Sequence, residues 1–271
     1  MTFSIVARSA DGRHWGVAVA SKFLAVGAVV PAARATVGAI ATQSYANVAY
    51  LPDGLRLLGE GTSAQHTLDA LLAADAERDK RQVGIVDAAG RAATFTGPGC
   101  HDWAGGITDD GVAIQGNILA GPQVVEAMHL AWLASDPGST LAHRMLAALR
   151  AGDDAGGDRR GRESAALLIV TEGGGYGGGN DVLIDLRVDD HPTPCAELAR
   201  LLELHHVYFE SPSDDALVPI ADVAADVDRW LAALGHPDLE SWLAVENFEM
   251  RVVDGRIDRY VLGVLERQAT Q

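Results

Sequence analysis

Lysine is nearly missing from this 271-residue chain: Lys22 and Lys80 stand against 19 arginines. Basic residues total 21 against 37 acidic ones, a formal net charge of −16. Nucleic acid and anionic membranes bind through cationic patches, so neither is expected as a partner. Cysteine is scarce too. Two cysteines cannot build a disulfide framework in a chain this long, which fits a reducing compartment, the cytoplasm. No run of about 18 apolar residues occurs, so no membrane-spanning helix is expected. Residues 1–8 lack the basic-then-apolar start of a secretory signal. Aromatic residues make up only 6%, while 30 glycines point to many tight turns and close backbone contacts. What remains is 48% hydrophobic and 21% charged, a foldable composition. The length suits one large domain, or a domain of about 200 residues with a smaller companion.

Hydrophobic periodicity orders the chain. Apolar runs at residues 2–7 and 14–20 flank Ser9-Ala10-Asp11-Gly12-Arg13 and predict a hairpin. A further extended pair is expected at 27–30 and 37–42, with Pro31 as the break between them. Helices are expected at 52–58 and from Thr62 or Ser63 onward, where Thr62 and Gln65 fit a capping box. Strand pairs follow at 82–86 with 92–96 and at 103–108 with 112–117, then helices at 122–134 and 140–151. Strands at 164–171 and 182–188 flank a glycine-rich turn, and a helix at 194–205 closes the body. Strands come in hairpins and helices in pairs, which favours an α+β fold of two antiparallel sheets between helical layers. After Tyr208 the texture changes to a linker and three helices, at 220–234, 239–248 and 257–268. Residues 210–271 carry half of the net negative charge. The segment is long enough for a small helical module but too short for a core of its own to be very stable, so it is expected to lean on the main body.

Four groups of residues could carry chemistry. Removal of Met1 would make Thr2 terminal and set its hydroxyl beside an α-amine. That amine titrates near pH 8 and can take the hydroxyl proton, activating the oxygen for acyl attack. The commoner explanation is an ordinary chain start. The hairpin partner ends in Ala20-Ser21-Lys22, so Ser21 and Lys22 should lie near Thr2, where an ammonium would favour the neutral amine. A solvated strand-end lysine is the plain alternative. Gln43, Ser44 and Asn47 follow one apolar strand, and Gln115-Gly116-Asn117 ends another. Their amides suit an oxyanion or a substrate, against ordinary turn capping. In Asp158-Arg159-Arg160-Gly161-Arg162, Arg160 could clamp a substrate carboxylate, or the loop could simply pair with Asp153, Asp154 and Asp158.

Other signals weaken on inspection. Residues 173–178 satisfy GxGxxG by letter but precede a strand, so they lack the helix N-terminus that would hold phosphate. Cys100-His101 has no partner pair at zinc spacing, and side chains of adjacent residues diverge on an extended chain. Asp185 to His191 is a charged strand end with weak ligand spacing. His205-His206 is expected to complement a helix dipole or to pack between domains. No metal and no cofactor is expected.

Residues 1–209 resemble the bacterial domain-of-unknown-function family 1028, grouped with the N-terminal nucleophile hydrolases. The resemblance is carried by Met1-Thr2-Phe3-Ser4, Gly16 to Phe23, Ala41-Thr42-Gln43, Asn47, Arg81-Gln82-Val83-Gly84, Trp103-Ala104-Gly105, Gln115-Gly116-Asn117, Arg160-Gly161 and Asp185 to His191. Residues 210–271, with Glu246-Asn247-Phe248-Glu249 and Ile257-Asp258, resemble a small module named for peptidoglycan binding. The resemblance implies a four-layer αββα sandwich and a metal-independent amidohydrolase. Thr2 would be its nucleophile, Lys22 would tune the amine, and Ser21, Gln43, Asn47, Gln115, Asn117 and Arg160 would bind substrate or oxyanion. The partner expected is a small-molecule amide or ureide, and the resemblance also admits a homo-oligomer. The acidic tail and the missing export signal argue against peptidoglycan as a ligand. The alternative is a non-catalytic metabolite-binding or scaffold protein on the same fold.

Overall fold

The computed structural model describes residues 2–270. It is a mixed α/β protein built on antiparallel sheets, with a helical C-terminal region. Two compact units divide the chain, Met1–Arg200 and Leu201–Gln271.

The first unit opens with β1 (Thr2–Arg8), β2 (Trp15–Ser21), β3 (Pro31–Arg34) and β4 (Gly38–Ser44). Helices α1 (Tyr50–Gly59) and α2 (Ala64–Ala73) follow, then β5 (Arg81–Asp87), β6 (Ala92–Thr96), β7 (Gly105–Asp109) and β8 (Val112–Asn117). The helix pair α3 (Gln123–Ala134) and α4 (Leu141–Asp154) leads to β9 (Ser164–Val170), β10 (Val182–Val188) and α5 (Pro194–Phe209).

One sheet has the order β10-β9-β2-β1-β8-β7 and the other β3-β4-β5-β6. The opening strand is therefore internal. It pairs with β2 on one side and β8 on the other, which sets Thr2 opposite both Ser21 and Asn117.

Alternation along each strand explains the layering. In β4, Ala39 and Ala41 join Val6, Val17, Val19 and Val86 between the two sheets. Ile40 points the other way and joins Val83, Ile85, Tyr50, Leu58 and Leu68 under α1 and α2. Both faces of β4 are covered, so it reads as an unbroken apolar run. Burying each such Val, Leu or Ile contributes about 1.5–3 kcal/mol. Helix α4 packs on β1 and β2, and α3 on β7 and β8.

Most expected elements are present, with three differences. The segment expected as a strand at 27–30 holds a 3-10 turn, Val26–Ala28, and Pro31 begins β3 instead of breaking a strand. β3 lies at a sheet edge, where the missing N–H of proline costs no ladder bond. Helix α2 is capped by Ser63, whose Oγ accepts from His66 N, while Gln65 bonds Asp69 and forms no capping box with Thr62.

The third difference is in the second unit. Besides α6 (Ile220–Leu234), α7 (Leu239–Glu246) and α8 (Arg259–Thr270), it has a three-stranded sheet of β11 (Leu217–Pro219), β13 (Arg256–Asp258) and β12 (Val252–Val253). It also has a core of its own, with Trp242, Phe248, Ile257, Val261 and Leu265 buried together. The second half of α5 adds Val207 and Tyr208 to that core, which is why the unit begins at Leu201. Arg251 and Asp258 form a buried ion pair within it. No helix among the described residues is long and apolar enough to cross a membrane.

Candidate functional site

A cavity of about 540 Å³ opens at the end of β1, a size suited to a small molecule. Thr2, Gln43 and Asn117 line it from three adjacent strand ends. Val26, Val29, Val30 and Phe23 form an apolar wall. Tyr45 and His101 stand together at the rim, Tyr45 Oη 3.1 Å from His101 Nε2. Among the described residues Arg160 is the one Lys or Arg in the lining, and no carboxylate lines it.

Thr2 is 6% exposed, and its Oγ1 lies 3.1 Å from Ser21 Oγ. Register makes this contact, because Thr2 and Ser21 are direct cross-strand partners. The carbonyl of Thr2 accepts from Gln43 Nε2 (3.2 Å) and, at longer reach, from Asn117 Nδ2 (3.5 Å).

These amides belong to a buried network between the sheets. Gln82 is its centre. Its Oε1 accepts from Gln43 Nε2 and Asn117 Nδ2, both at 2.8 Å. Its Nε2 donates to Gly116 O at 2.7 Å and to Thr96 Oγ1 at 2.8 Å. Ser4 Oγ donates to Gln43 Oε1 and accepts from Gln115 Nε2, both at 2.7 Å. Thr94 Oγ1 donates to Gln115 Oε1 at 3.2 Å. Gln43, Gln82, Gln115 and Ser4 are all 0% exposed. Buried amides this fully bonded are rigid, since releasing one leaves its partners unsatisfied.

Asp158 holds the Arg160 loop. Its side chain is 2% exposed, and its Oδ2 accepts from Lys22 N at 2.7 Å. Its Oδ1 accepts from Arg160 N at 2.9 Å, and Arg160 Nη2 lies 3.3 Å from Oδ2. A bridge also ties Asp158 to Leu119, just past β8. The loop therefore spans from the end of β2 to the end of β8, with Thr2 on the strand between.

Two of the six described non-glycine residues with positive φ lie at the same place. Ser44 (φ 70°) and Ile118 (φ 46°) both line the cavity in the left-handed region. For a β-branched isoleucine this is a rare conformation. Ile118 N donates to His101 O and its carbonyl accepts from Arg159 N, bonds that hold it there. Such outliers tend to cluster at functional sites.

The residues expected from sequence sort into two sets. Thr2, Gln43, Asn117 and Arg160 meet at the cavity, with Ser21 touching Thr2. Lys22, Asn47 and Gln115 do not line it. The Lys22 ammonium turns to Glu163, 3.3 Å away. Asn47 donates to Asp75, which also accepts from Tyr50 and Arg81. The Arg81 guanidinium, with these other donors, holds the Asp75 carboxyl well below the usual carboxylate range. Gln115 serves the inter-sheet network. In the arginine loop Arg160 lines the cavity while pairing with Asp158, and Arg162 forms an ion pair with Asp153 at 2.7 Å.

Sequence alone gives Tyr45, His101 and the hub Gln82 no place at this site, although Gln82 falls within the family resemblance. Only the fold joins Tyr45 to His101, and the one linear signal was the Cys100-His101 pair, considered there for other chemistry. Cys195 is buried, and burial pushes its thiol pKa up, which makes it a poor nucleophile. His205 and His206 on α5 and Glu210 just past its end place ligand atoms within 4.8 Å of one another, but they do not line the cavity.

Comparison with known proteins adds the following. A model described as "Family of unknown function (DUF1028)" matches residues 2–198. A model described as "Putative peptidoglycan binding domain" matches residues 208–265. The chain is similar to the crystal structure of protein SPO2555 from Silicibacter pomeroyi, itself assigned to the DUF1028 model. Identity is 30% and TM-score 0.69, over 77% of this chain and 91% of that one. Anbu (ancestral beta-subunit) from Yersinia bercovieri aligns with 12% identity and TM-score 0.32, over 78% of this chain and 98% of that one. None of the curated proteins matches.

Proposed function

This chain belongs to DUF1028, a family of unknown function, and we propose that its first unit is an amidohydrolase that cleaves a C–N bond in a small molecule through Thr2. We place that unit in the four-layer αββα class of N-terminal nucleophile hydrolases. The observation that carries the reading is Thr2 itself. It ends an internal strand inside a cavity, with its hydroxyl against Ser21 and its carbonyl held by two buried amides.

In this reading, cleavage before Thr2 frees its α-amine. The amine takes the proton of Oγ1 as that oxygen attacks the substrate carbonyl carbon, forming a tetrahedral oxyanion. Collapse breaks the C–N bond, the proton passes to the departing amine, and an ester on Thr2 remains. Water then attacks the ester with the same α-amine as base, releasing a carboxylic acid and restoring the hydroxyl. The long Asn117 bond to Thr2 O is the one most readily exchanged for a developing oxyanion. We assign Ser21 the contact with the nucleophile and give Lys22 a lesser part, because Glu163 shares its charge.

The test has two readouts. Intact-mass measurement of the purified protein should find a chain that begins at Thr2. Thr2→Ala should then abolish turnover of a panel of small amides and ureides while the melting temperature stays within a few degrees. A variant that keeps full turnover refutes the mechanism. The second reading, a non-catalytic metabolite binder, is favoured by the existing bonds of Gln43 and Asn117 to Gln82. A processed protein that binds amides without turning them over would establish it.

A further inference from the structure

We infer that the cavity selects an amide with a carboxylate at one end and an apolar group at the other, the chemical class of N-acyl amino acids. This rests on the proposed reaction at Thr2, and the test below separates the two.

Charge comes first. The protein carries a net −16, so an anionic ligand is repelled at long range and needs a local cation to enter. Arg160 supplies one, its charge shared in part with Asp158, in a lining whose described residues include no carboxylate. A cationic ligand would meet Arg160 and no carboxylate among the described lining residues, since Asp158, which pairs with Arg160, lies behind the loop and outside the lining. A guanidinium offers a planar fork that pairs with a carboxylate in bidentate fashion. The Arg160 side chain is 45% exposed, and its loop is fixed through Asp158 to both strands that flank Thr2. The cation therefore lines the same cavity as the reacting group, on a fixed support.

The apolar wall makes the second demand. Val26 and Val30 are 1% and 3% exposed, a preformed surface. Phe23 lines the cavity yet is 49% exposed, so its ring gains burial when a ligand covers it. Polar groups concentrated around Thr2 and an apolar wall opposite are matched by a molecule with both characters.

The experiment measures binding to the full-length Thr2→Ala protein by calorimetry. The probes are N-acetyl-L-phenylalanine, N-acetyl-L-phenylalaninamide and N-acetylglycine. The carboxylate should bind about tenfold tighter than the neutral amide, and the phenylalanine compound about tenfold tighter than the glycine one. Arg160→Gln should remove the preference for the carboxylate, Arg160→Lys should keep part of it, and Arg162→Gln should leave it unchanged. Melting-temperature shifts of the unsubstituted protein with the same probes repeat the reading without any variant.

Equal binding of acid and amide overturns the inference. So does a preference that survives Arg160→Gln, equal binding of the glycine compound, or no binding at all. The expected pattern without turnover by the unsubstituted protein would refute the nucleophile and support the ligand class. Turnover with indifference to the carboxylate would do the reverse.

Discussion

Gly84→Ala should destabilise the first unit through one contact. Gly84 lies on β5 between Ala41 and Thr94. A Cβ there would sit 2.1 Å from Gln115 Oε1 and 2.5 Å from its Cδ and Nε2. Real contacts of a Cβ do not fall below 3.0 Å, so the carboxamide must move by roughly 1 Å. That movement breaks the bonds to Ser4 Oγ and Thr94 Oγ1 in a site with no solvent. Overpacking costs about 1–3 kcal/mol and a buried group left unsatisfied about 1–3 kcal/mol. Alanine in place of glycine in a strand returns about 0.5–1 kcal/mol. The net loss is about 1–5 kcal/mol. Urea unfolding followed by near-UV circular dichroism should show it as a lower midpoint at unchanged slope. Gln115→Ala in the same chain makes room for the new methyl. The double variant should be at least about 1 kcal/mol more stable than the sum of the singles implies. A Gly84→Ala protein within about 0.5 kcal/mol of the parent, or strict additivity, would refute the reasoning.

The remaining predictions concern pH and capping. Asp75 is held ionised by Arg81, Asn47 and Tyr50, so its folded pKa lies below its unfolded value near 4. Its contribution is therefore fully present above about pH 4 and declines as pH falls below that value. Asp75→Asn should cost about 2–3 kcal/mol at pH 7, the low side for a buried pair because the cluster borders solvent. In urea titrations its deficit should shrink below about pH 4, and a constant deficit to pH 2 would sink the assignment. Thr140→Ala removes the acceptor for His143 N at the start of α4 and should cost about 1 kcal/mol by thermal unfolding, with Thr140→Ser close to the parent.

Local chemistry made much of the fold readable. The 9–13 turn between two apolar runs predicted the β1–β2 hairpin, and its register brought Ser21 to Thr2. What escaped depends on partners distant in sequence. Pro31 reads as a break until β3 is known to lie at an edge. Asn47 and Gln43 look equivalent in the chain, yet one faces Asp75 and the other the inter-sheet space. The small sheet at 217–219, 252–253 and 256–258 is made of strands too short to carry a period. Of the site, the strand-end polar residues were legible, because polar groups closing apolar runs stand out. Gln82 directly follows Lys80-Arg81 at the start of its strand and reads as the end of the polar turn before an apolar run.

The inter-sheet hydrogen bonds also have a direction. Donation runs from Thr94 to Gln115, then to Ser4, Gln43 and Gln82, and ends on the Gly116 carbonyl. A backbone carbonyl can only accept, so the terminus fixes the sense of every link before it. Turning Gln82 around would set its Oε1 against the Gly116 carbonyl and its Nε2 against the Gln43 and Asn117 amide nitrogens, like against like. The chain of bonds therefore has polarity as well as shape, with one permitted orientation. A slip of β5 by one residue would remove Gln82 from between the sheets and leave the sequence of donors with no end. Strand register at this site is thus encoded twice, once by which side chains are greasy and once by which way the protons point.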